Sequence, residues 1–323
     1  MNAKVIRLGT RKSRLAMWQT AHVATRLKQM AQQQKVDLEV QIVPIVTLGD
    51  RVTDRPLSAL GGTAVFTKEI ENALLNNECD MAVHSLKDLA TEMPDGLHIA
   101  AYLPREDPRD VFVSRDATSF DALPAGKMIG TSSLRRAAMV KNVRPDLEVV
   151  SLRGNVPTRL GAVGKEVADA RPYDGPPLDG TIMAAAGLKR LGYQAHVTDY
   201  LSPARFLPAP GQGVIALQTR SDDAETSTFA EGLNCDRSQM AAVAERTFLN
   251  VVEGGCRLPI GAFSMFSGDA VELMGVILSL DGTRMVTGRQ EGSDAVRVGK
   301  QLARELLQNG GQDILNEINQ ELK

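Results

Sequence analysis

One cysteine of this chain has neighbours that could make its thiol reactive. Cys256 follows two glycines and precedes an arginine in the stretch VVEGGCRLPI, residues 251–260. The glycines allow a sharp turn and the close approach of another group, and Arg257 would favour the thiolate. A free cysteine is by default a small buried hydrophobe, so the residues alone leave both an inert thiol and a nucleophile open. Cys79 and Cys235 lack such neighbours and are expected to be inert.

The segment HSLKD, residues 84–88, is a second candidate because it ends a strand-like stretch of small and apolar residues. Asp88 could act as a general acid or base, or as a counter-ion for a developing cation. Lys87 beside it would keep the carboxyl group ionised. The alternatives are a surface Lys–Asp pair at a strand-end turn, and a thiol hydrolase with Cys256 as nucleophile and His84 as base. Taken singly, His84 is more often a hydrogen-bonded structural histidine.

Two similar motifs place hydroxyl and guanidinium groups where a strand gives way to a helix. They are GTRKS at residues 9–13 and GTSSLRR at residues 130–136. Helix N-termini attract anions, and arginine can bind a carboxylate with two hydrogen bonds. The alternative is that the hydroxyls only cap helices and the arginines are solvated. Recurrence of the motif in both halves strengthens the case for anion binding.

Further arginines follow in SLRGNVPTRL, where Arg153 and Arg159 flank a Gly-Asn turn. With Arg135 and Arg136 they form a cluster near predicted strand ends. Such a cluster indicates either a solvated basic face or a site for a ligand with several carboxylates or phosphates. Neither a GxxxxGK[ST] loop nor a GxGxxG motif occurs, so a nucleotide is less favoured.

Composition narrows the class of protein. The 323 residues are 43% hydrophobic and 24% charged, which is ordinary for a globular protein of two or three domains. The net charge of −2 gives no global preference for nucleic acid or an anionic membrane. The three cysteines lack zinc-site or disulfide-framework spacing, so no metal is expected. No signal-peptide-like start and no apolar run of roughly 20 residues occurs, so we expect a cytoplasmic protein.

Strand-like and helix-like segments alternate over most of the chain, which predicts an α/β fold with mainly parallel sheets. RLGTRKSRLAMW echoes MIGTSSLRRAAM, and CDMAVHSLKDL echoes LDGTIMAAAGLKRL. We therefore expect two similar α/β domains that face each other, with ligands at the carboxyl ends of their strands. Residues 47–66 have no period and are expected to form a long loop. From about residue 236, a helix, a hairpin turning at Asp281–Gly282 and a helix capped by Ser293 predict a small third domain.

The motifs agree, in order and spacing, with signature stretches of a known family. GTRKSRLA, HSLKDL, EDPRDVFVS, GTSSLRR, SLRGNVPTRL, AAAGLKRLG, LPAPGQGVIALQTR and EGGCRLPIGA resemble those of the porphobilinogen deaminases, also called hydroxymethylbilane synthases. The resemblance implies two periplasmic-binding-protein-like domains with an active-site cleft between them, plus a small α/β C-terminal domain. The implied boundaries are 1–105 with 214–232 for domain 1, 106–213 for domain 2 and 236–323 for domain 3.

This resemblance implies a transferase of tetrapyrrole (porphyrin and heme) biosynthesis. Four porphobilinogen molecules are joined head to tail, each losing ammonia, onto a dipyrromethane cofactor held by a thioether to Cys256. Hydrolysis then releases hydroxymethylbilane. The family further implies a monomer whose partner is the small-molecule substrate porphobilinogen, with no nucleic acid and no membrane. The rival from another class is a non-catalytic two-lobed binding protein for a polycarboxylate ligand.

Individual residues take expected roles from the same resemblance. Asp88 is expected to be catalytic, because a fixed carboxylate can stabilise the azafulvene-like cation that remains when ammonia leaves. Every pyrrole ring carries an acetate and a propionate, which explains a need for arginines. Besides Cys256, cofactor binding is expected from Lys87, Asp88, Ser133, Arg135, Arg136 and Arg159. Substrate binding is expected from Arg11, Ser13, Phe66, Arg153, Arg159 and Arg190.

The sequence departs from the family pattern at two places. Residues 61–64 read GGTA where the family usually reads GGKG, so Thr63 stands in place of a lysine. The segment GKEVADARPYDGPPLDG, residues 164–180, is longer than expected and rich in proline and glycine. We interpret this segment as a surface loop insertion.

Overall fold

The computed structural model describes residues 4–47, 49, 67–252 and 258–321. Contacts between residues divide the chain into two compact units. The first consists of Met1–Glu106 and Gly213–Ala242, and the second of Asp107–Gln212 and Val243–Lys323. The chain therefore passes from one unit to the other three times, and the predicted three-domain boundaries stay a prediction.

The first unit contains a five-stranded sheet in the order β2-β1-β3-β10-β4. Its strands are β1 (Lys4–Arg11), β2 (Leu38–Ile45), β3 (Met81–Ser85), β4 (Leu97–Tyr102) and β10 (Ile215–Arg220). Its helices are α1 (Arg14–Gln33), α2 (Lys68–Leu75), α6 (Ala224–Glu231) and a 3₁₀ turn at Leu86–Asp88. β1 runs parallel to β2 and β3, whereas β10 is antiparallel to β3 and β4.

Helix α1 shows how local sequence positions this unit's polar groups. The hydroxyl of Ser13 caps its first turn by accepting a hydrogen bond from the N–H of Ala16 at 3.3 Å. Val23 and Leu27 recur at helical spacing on the buried face and pack against the strand residue Leu8. The apolar face therefore holds α1 on the sheet, with its N-terminus directly after β1.

The second unit contains a five-stranded sheet in the order β7-β6-β8-β5-β9. Its strands are β5 (Asp110–Ser114), β6 (Met128–Gly130), β7 (Glu148–Val150), β8 (Gly180–Ala184) and β9 (Asp199–Tyr200). Its helices include α3 (Leu134–Val143), α4 (Val156–Ala162), α5 (Ala185–Arg190) and a 3₁₀ turn at Gln194–His196. β6 is parallel to β7 and β8, and β5 is antiparallel to β8 and β9.

The two sheets have the same plan, which confirms the expectation of two similar α/β domains. In each sheet the first three strands in spatial order are parallel to one another. The fourth strand, β10 or β5, is antiparallel to its neighbours, and the fifth strand forms the edge. Four of the five strands in each sheet run in one direction, as the prediction of mainly parallel sheets requires, and the exceptions are β10 in the first unit and β5 in the second. The reason is that β10 and β5 enter from distant chain segments rather than through a helical crossover, so they can run in the opposite direction.

The C-terminal part of the second unit is a three-stranded antiparallel sheet with helices. It comprises α7 (Asp236–Val251), whose first turns belong to the first unit, β11 (Ile260–Ser267), β12 (Ala270–Leu278), β13 (Met285–Gly292), α8 (Ala295–Leu306), a π-type turn (Leu307–Gly311) and α9 (Gln312–Glu321). Gly282 lies in the β12–β13 turn with φ +72°, as the Asp281–Gly282 hairpin prediction requires. Asp294, and not the predicted Ser293, caps α8, since its side chain accepts from the N–H of Arg297 at 3.0 Å.

The segment 164–180 has no regular structure from residue 164 to 179, and its last residue, Gly180, begins β8. Most of its residues are exposed, but Val167 and Tyr173 are partly buried against the hydrophobic cluster that includes Leu160 and Leu188.

No helix in the described ranges is long and apolar enough to cross a membrane.

Candidate functional site

A pocket lies in the first unit at the carboxyl ends of β1 and β3. Because these two strands are parallel neighbours, the segments that follow them meet at one edge of the sheet. The pocket is lined by Arg11, Ser13, Leu15, Ala16, Gln19, Thr67, Ile70, Val83, His84, Ser85 and Asp88. Three residues of the predicted site, Arg11, Ser13 and Asp88, therefore come together, although 77 positions separate the first from the last (88 minus 11).

Asp88 is the last residue of the 3₁₀ turn that follows β3, and its side chain is half-buried. Within the described part of the chain, no protein group donates a hydrogen bond to this carboxylate. Its oxygens are therefore open to a ligand that enters the pocket. Lys87, the residue before it, is also half-buried.

Ser13 has a structural role as well as its place in the pocket. Its oxygen accepts the N–H of Ala16 and so caps α1. A hydroxyl can accept and donate at once, so the capping bond leaves the Ser13 hydrogen able to reach an anion. The helix N-terminus behind it adds a favourable field for negative charge.

His84 is buried at the wall of the same pocket and belongs to a chain of polar side chains. Its Nε2 lies 3.0 Å from Oε1 of Gln218, whose Nε2 donates to Oε1 of Glu71 at 3.3 Å. Burial lowers the pKa of His84 to about 4, and the Arg11 charge acts in the same direction against the Gln218 hydrogen bond. At neutral pH the imidazole is therefore uncharged and already bonded, which makes it a weak general base.

Gln19 is a pocket residue that was not predicted from the sequence, whereas its partner Ser85 lies in the predicted HSLKD segment without an assigned role. Gln19 is buried, and its Nε2 donates to the hydroxyl of Ser85 at 3.0 Å. A signal existed in the sequence, because Gln19 stands between Ala16 and Val23 at helical spacing on the apolar face of α1. A polar side chain on such a face needs a partner inside the protein.

Arg135 and Arg136 form the basic centre of the second unit. Both lie on α3 and are only 4% and 6% exposed. Arg135 donates through Nη2 to Oδ2 of Asp110 at 2.7 Å, and Arg136 donates through Nη2 to Oδ1 at 2.7 Å and through Nε at 3.1 Å. Because they are buried, the solvated-face alternative is wrong for these two arginines.

Asp110 is fully buried at the start of β5 and receives both guanidinium groups. Burial alone would raise the pKa of its carboxyl group, but the charges and hydrogen bonds of Arg135 and Arg136 hold that pKa well below its usual range. Two cations thus share one anion, which leaves a net positive charge on the group. Asp110 lies in the motif EDPRDVFVS but is not among the predicted site residues; its signal in the sequence is a carboxylate at the start of an apolar strand.

Other predicted residues of this unit follow the carboxyl ends of the parallel strands. Ser133 follows β6 and caps α3 through a long contact, 3.4 Å from the N–H of Arg136. Arg153 follows β7 and is half-buried, and Nε of Arg159 donates to the carbonyl of Gly154 at 2.9 Å. Arg190 is different because it ends α5, about 8 Å along the helix from its first residue. The strand ends therefore do not by themselves place Arg190 beside the other three.

Several predicted features lie outside the described residues. They are Cys256, Phe66, the GGTA segment at 61–64 and most of the predicted loop 47–66. Their expected roles stay predictions.

Known proteins of one family match nearly the whole chain. Residues 6–228 match the family model of the porphobilinogen deaminase dipyromethane cofactor binding domain, and residues 239–308 match the porphobilinogen deaminase C-terminal domain. The chain is 45% identical to the porphobilinogen deaminase of Syntrophomonas wolfei, over 97% of this chain and 98% of that protein. It is 44% identical to that of Carboxydothermus hydrogenoformans, over 98% of this chain and 97% of the relative.

Solved structures with a related arrangement are more distant. The methionine binding protein MetQ is 15% identical, with a TM-score of 0.42, and the match covers 75% of this chain and 94% of that one. The periplasmic VFT2 domain of Bordetella pertussis BvgS is 14% identical, with a TM-score of 0.39, covering 74% and 92%.

Proposed function

The chain belongs to the porphobilinogen deaminase family, and we propose that it catalyses the condensation that this name implies. Four porphobilinogen molecules would be joined head to tail with loss of four ammonia molecules, and hydrolysis would release hydroxymethylbilane. The observation that carries the proposal is the pocket that joins Arg11 and Ser13 to the Asp88 carboxylate, which accepts no hydrogen bond from the residues that the structure describes. This set can bind an anionic pyrrole and stabilise a cation formed from it.

The donor set of the protein fits the dipyrromethane group of this family, which carries an acetate and a propionate on each ring. Asp110 neutralises only one of the two buried guanidinium groups, so Arg135 and Arg136 retain charge for a ligand carboxylate. The group would be held by a thioether to Cys256 and by Lys87, Asp88, Ser133, Arg135, Arg136 and Arg159. When bound, it supplies the pyrrole carbon to which the first substrate unit is joined.

Asp88 has two tasks in this mechanism. As the C–N bond of the aminomethyl group breaks, the electron pair leaves with nitrogen, and a cation develops on the substrate's pyrrole ring. The Asp88 carboxylate stabilises that cation and accepts the pyrrole N–H. It can also receive the proton lost from the pyrrole carbon after the new C–C bond forms, and give that proton to the aminomethyl nitrogen of the next substrate before its C–N bond breaks.

Other residues bind the carboxylates of the substrate, and the pocket residue His84 adds no positive charge. Arg11 and Ser13 pair with the substrate's carboxylates, and we expect Phe66, Arg153, Arg159 and Arg190 to contribute to the same task. His84 supports the reaction by being neutral, since an imidazolium in the wall would repel the cationic intermediate. The same neutrality weakens a thiol hydrolase with His84 as its base.

The intact mass of the purified protein tests this proposal. We expect the wild type to exceed the mass of the bare polypeptide by a dipyrromethane, and the Cys256→Ala variant to show the bare mass. An unmodified wild type, or an adduct that survives Cys256→Ala, would contradict the proposal. No described contact specifically favours the non-catalytic binding protein, and a monomeric state and a cytoplasmic location stay predictions.

A further inference from the structure

Glu245 is a buried carboxylate that the mechanism above does not use. It lies on α7 within the second unit and is fully buried. Its Oε2 accepts the backbone N–H of Gly211 at 2.7 Å, and its Oε1 accepts the backbone N–H of Ser264 in β11 at 2.9 Å. One side chain thus ties the loop before β10 to the C-terminal sheet.

The loop that Glu245 holds has an unusual backbone. Gly211 and Gly213 have φ angles of +73° and +92°, so Gln212 is flanked by two residues in the left-handed region. Glycine in such positions has high conformational freedom in the absence of other constraints. A charge-assisted hydrogen bond that a backbone N–H donates to a carboxylate is a strong constraint. Glu245 therefore restricts the backbone directly beside Gln212.

Gln212 in turn reaches the buried arginine pair. Its Nε2 donates to the carbonyl of Pro108 at 2.7 Å and to Oδ1 of Asp110 at 2.9 Å. That same Oδ1 accepts both the Nε and the Nη2 of Arg136. All these groups belong to the second unit, and Gln212 is fully buried. The position of the Asp110 carboxylate therefore depends on the position of Gln212, and so does the orientation of the Arg136 guanidinium group.

We infer that Glu245 is a positioning residue for cofactor binding: through Gly211 and Gln212 it holds Asp110, and so sets the geometry in which Arg135 and Arg136 receive carboxylates. This inference rests on the proposed function. It gives the C-terminal domain a part in ligand binding besides that expected of Cys256. A carboxylate is needed because two backbone N–H groups must be accepted at once, one by each oxygen.

The test is the loading of cofactor-free protein, produced without a porphobilinogen supply and then incubated with porphobilinogen. The readout is the fraction of molecules that gain the mass of two pyrrole units, measured against substrate concentration well below each variant's melting temperature. Glu245→Gln keeps the shape but offers one acceptor oxygen where two are needed. We expect half-loading to require about tenfold more porphobilinogen, because small errors in the placement of binding groups have large effects.

Two further variants separate positioning from general destabilisation. Asp80→Asn is the control, because the partly buried Asp80 carboxylate also accepts a backbone N–H, that of Arg7, but lies in the first unit. This variant should lower stability without changing loading. Gln212→Ala should impair loading, and the double variant with Glu245→Gln should load no worse than Gln212→Ala alone. If Glu245→Gln does not fold, Glu245→Asp, which retains the charge but shortens the reach, takes its place.

The outcomes distinguish this inference from the proposed function. A wild type that never gains mass would overturn the proposed function. A wild type that loads beside a Glu245 variant that loads equally well would overturn only the positioning role. The positioning role would also be overturned if Asp80→Asn lost as much loading as Glu245→Gln, or if the losses of loading in Glu245→Gln and Gln212→Ala added up in the double variant. The positioning role would be established if Glu245→Gln loads less well than Asp80→Asn and if Glu245→Gln causes no further loss of loading when it is added to Gln212→Ala.

Discussion

The two aspartates of the proposed site differ in what surrounds them. Asp88 is half-buried, and no protein donor within the described ranges holds its carboxylate, whereas Asp110 is fully buried and accepts from Arg135, Arg136 and Gln212. The first can therefore exchange hydrogen bonds with a ligand during a reaction. The second is committed to the protein and sets the charge and direction of the arginines.

Replacing Asp88 with Ala should leave the fold intact and reduce kcat by about 10³-fold or more. The reason is the loss of both an electrostatic stabiliser and a proton-transfer group, each of which is worth a factor of this order. Steady-state kinetics and circular dichroism would measure the two effects. Asp95→Ala, at an exposed position in the following turn, is the matched control and should behave like the wild type. Near-normal turnover in Asp88→Ala would remove the residue from its catalytic role.

Replacing Asp110 with Asn should destabilise the protein by about 3–5 kcal/mol at pH 7, because two buried guanidinium groups would lose their counter-ion. The folded state lowers the pKa of Asp110 from its ordinary 3.8, so its stabilising contribution is present above that pH. The contribution is lost as the pH falls below this range toward the folded-state pKa. The difference between wild type and variant in urea unfolding should therefore shrink below about pH 4. A constant difference on acidification would contradict this assignment.

At the scale of elements, the β12–β13 hairpin packs against the five-stranded sheet and helix α3 of the second unit. The β12–β13 turn lies against α3, and Nδ2 of Asn142 donates to the carbonyl of Gly282 at 2.8 Å. Val276 and Leu278 of β12 share a core with Phe112 of β5 and Met139 of α3. The C-terminal sheet is therefore part of the second unit's core, which explains how it can influence the arginine cluster there.

Two glycines allow the contribution of this turn to be isolated. Gly282 and Gly268 both have left-handed backbones, with φ of +72° and +59°. A Cβ on Gly282 would lie 2.5 Å from the carbonyl oxygen of Ala138, whereas a Cβ on Gly268 would meet nothing within 4 Å. Both Ala variants should lose about 1–2 kcal/mol through backbone strain. Gly282→Ala should lose at least about 1 kcal/mol more, because the turn must move away from α3. Equal losses in urea unfolding would show that the contact does not matter.

At the scale of the whole molecule, charge is local rather than global. The net charge is only −2, so no long-range field draws an anionic substrate toward the protein. The favourable charge is concentrated instead in groups such as Arg11 and the Arg135–Arg136 pair. An anionic group that binds there relieves an imbalance that the empty protein must tolerate.

Loading with dipyrromethane should therefore raise the stability of the molecule as a whole, as binding to the native state does. We expect Cys256→Ser, which cannot carry the group, to melt several degrees below the loaded wild type in calorimetry. For a chain of this size, each kcal/mol corresponds to about 1–2 °C. Cys235→Ser changes a free thiol at a half-buried position, and this variant should still gain the mass of the cofactor and melt like the loaded wild type. Identical melting of the Cys256 variant and the loaded wild type would contradict the prediction.

The sequence by itself determined the local features of this protein. Strand-then-helix periodicity and the two echoed motifs predicted two similar lobes, and the Asp–Gly pair predicted the C-terminal hairpin. These predictions succeeded because each depends on neighbours within a few residues of one another. The placement of Ser13 and Asp88 at strand ends was predictable for the same reason, since parallel strands bring their carboxyl ends to one edge.

Only the tertiary structure decided which groups pair. Asp110 meets Arg135 and Arg136 because β5 joins the sheet beside β8, and Gln212 reaches Asp110 from a loop about 100 positions later in the chain. His84 is neutral because burial lowers its pKa despite the hydrogen bond with Gln218, and no local pattern reveals that burial. Hydrogen bonds and pKa shifts of this kind depend on burial and on partners distant in sequence. They therefore follow from the packed structure and not from the order of residues alone.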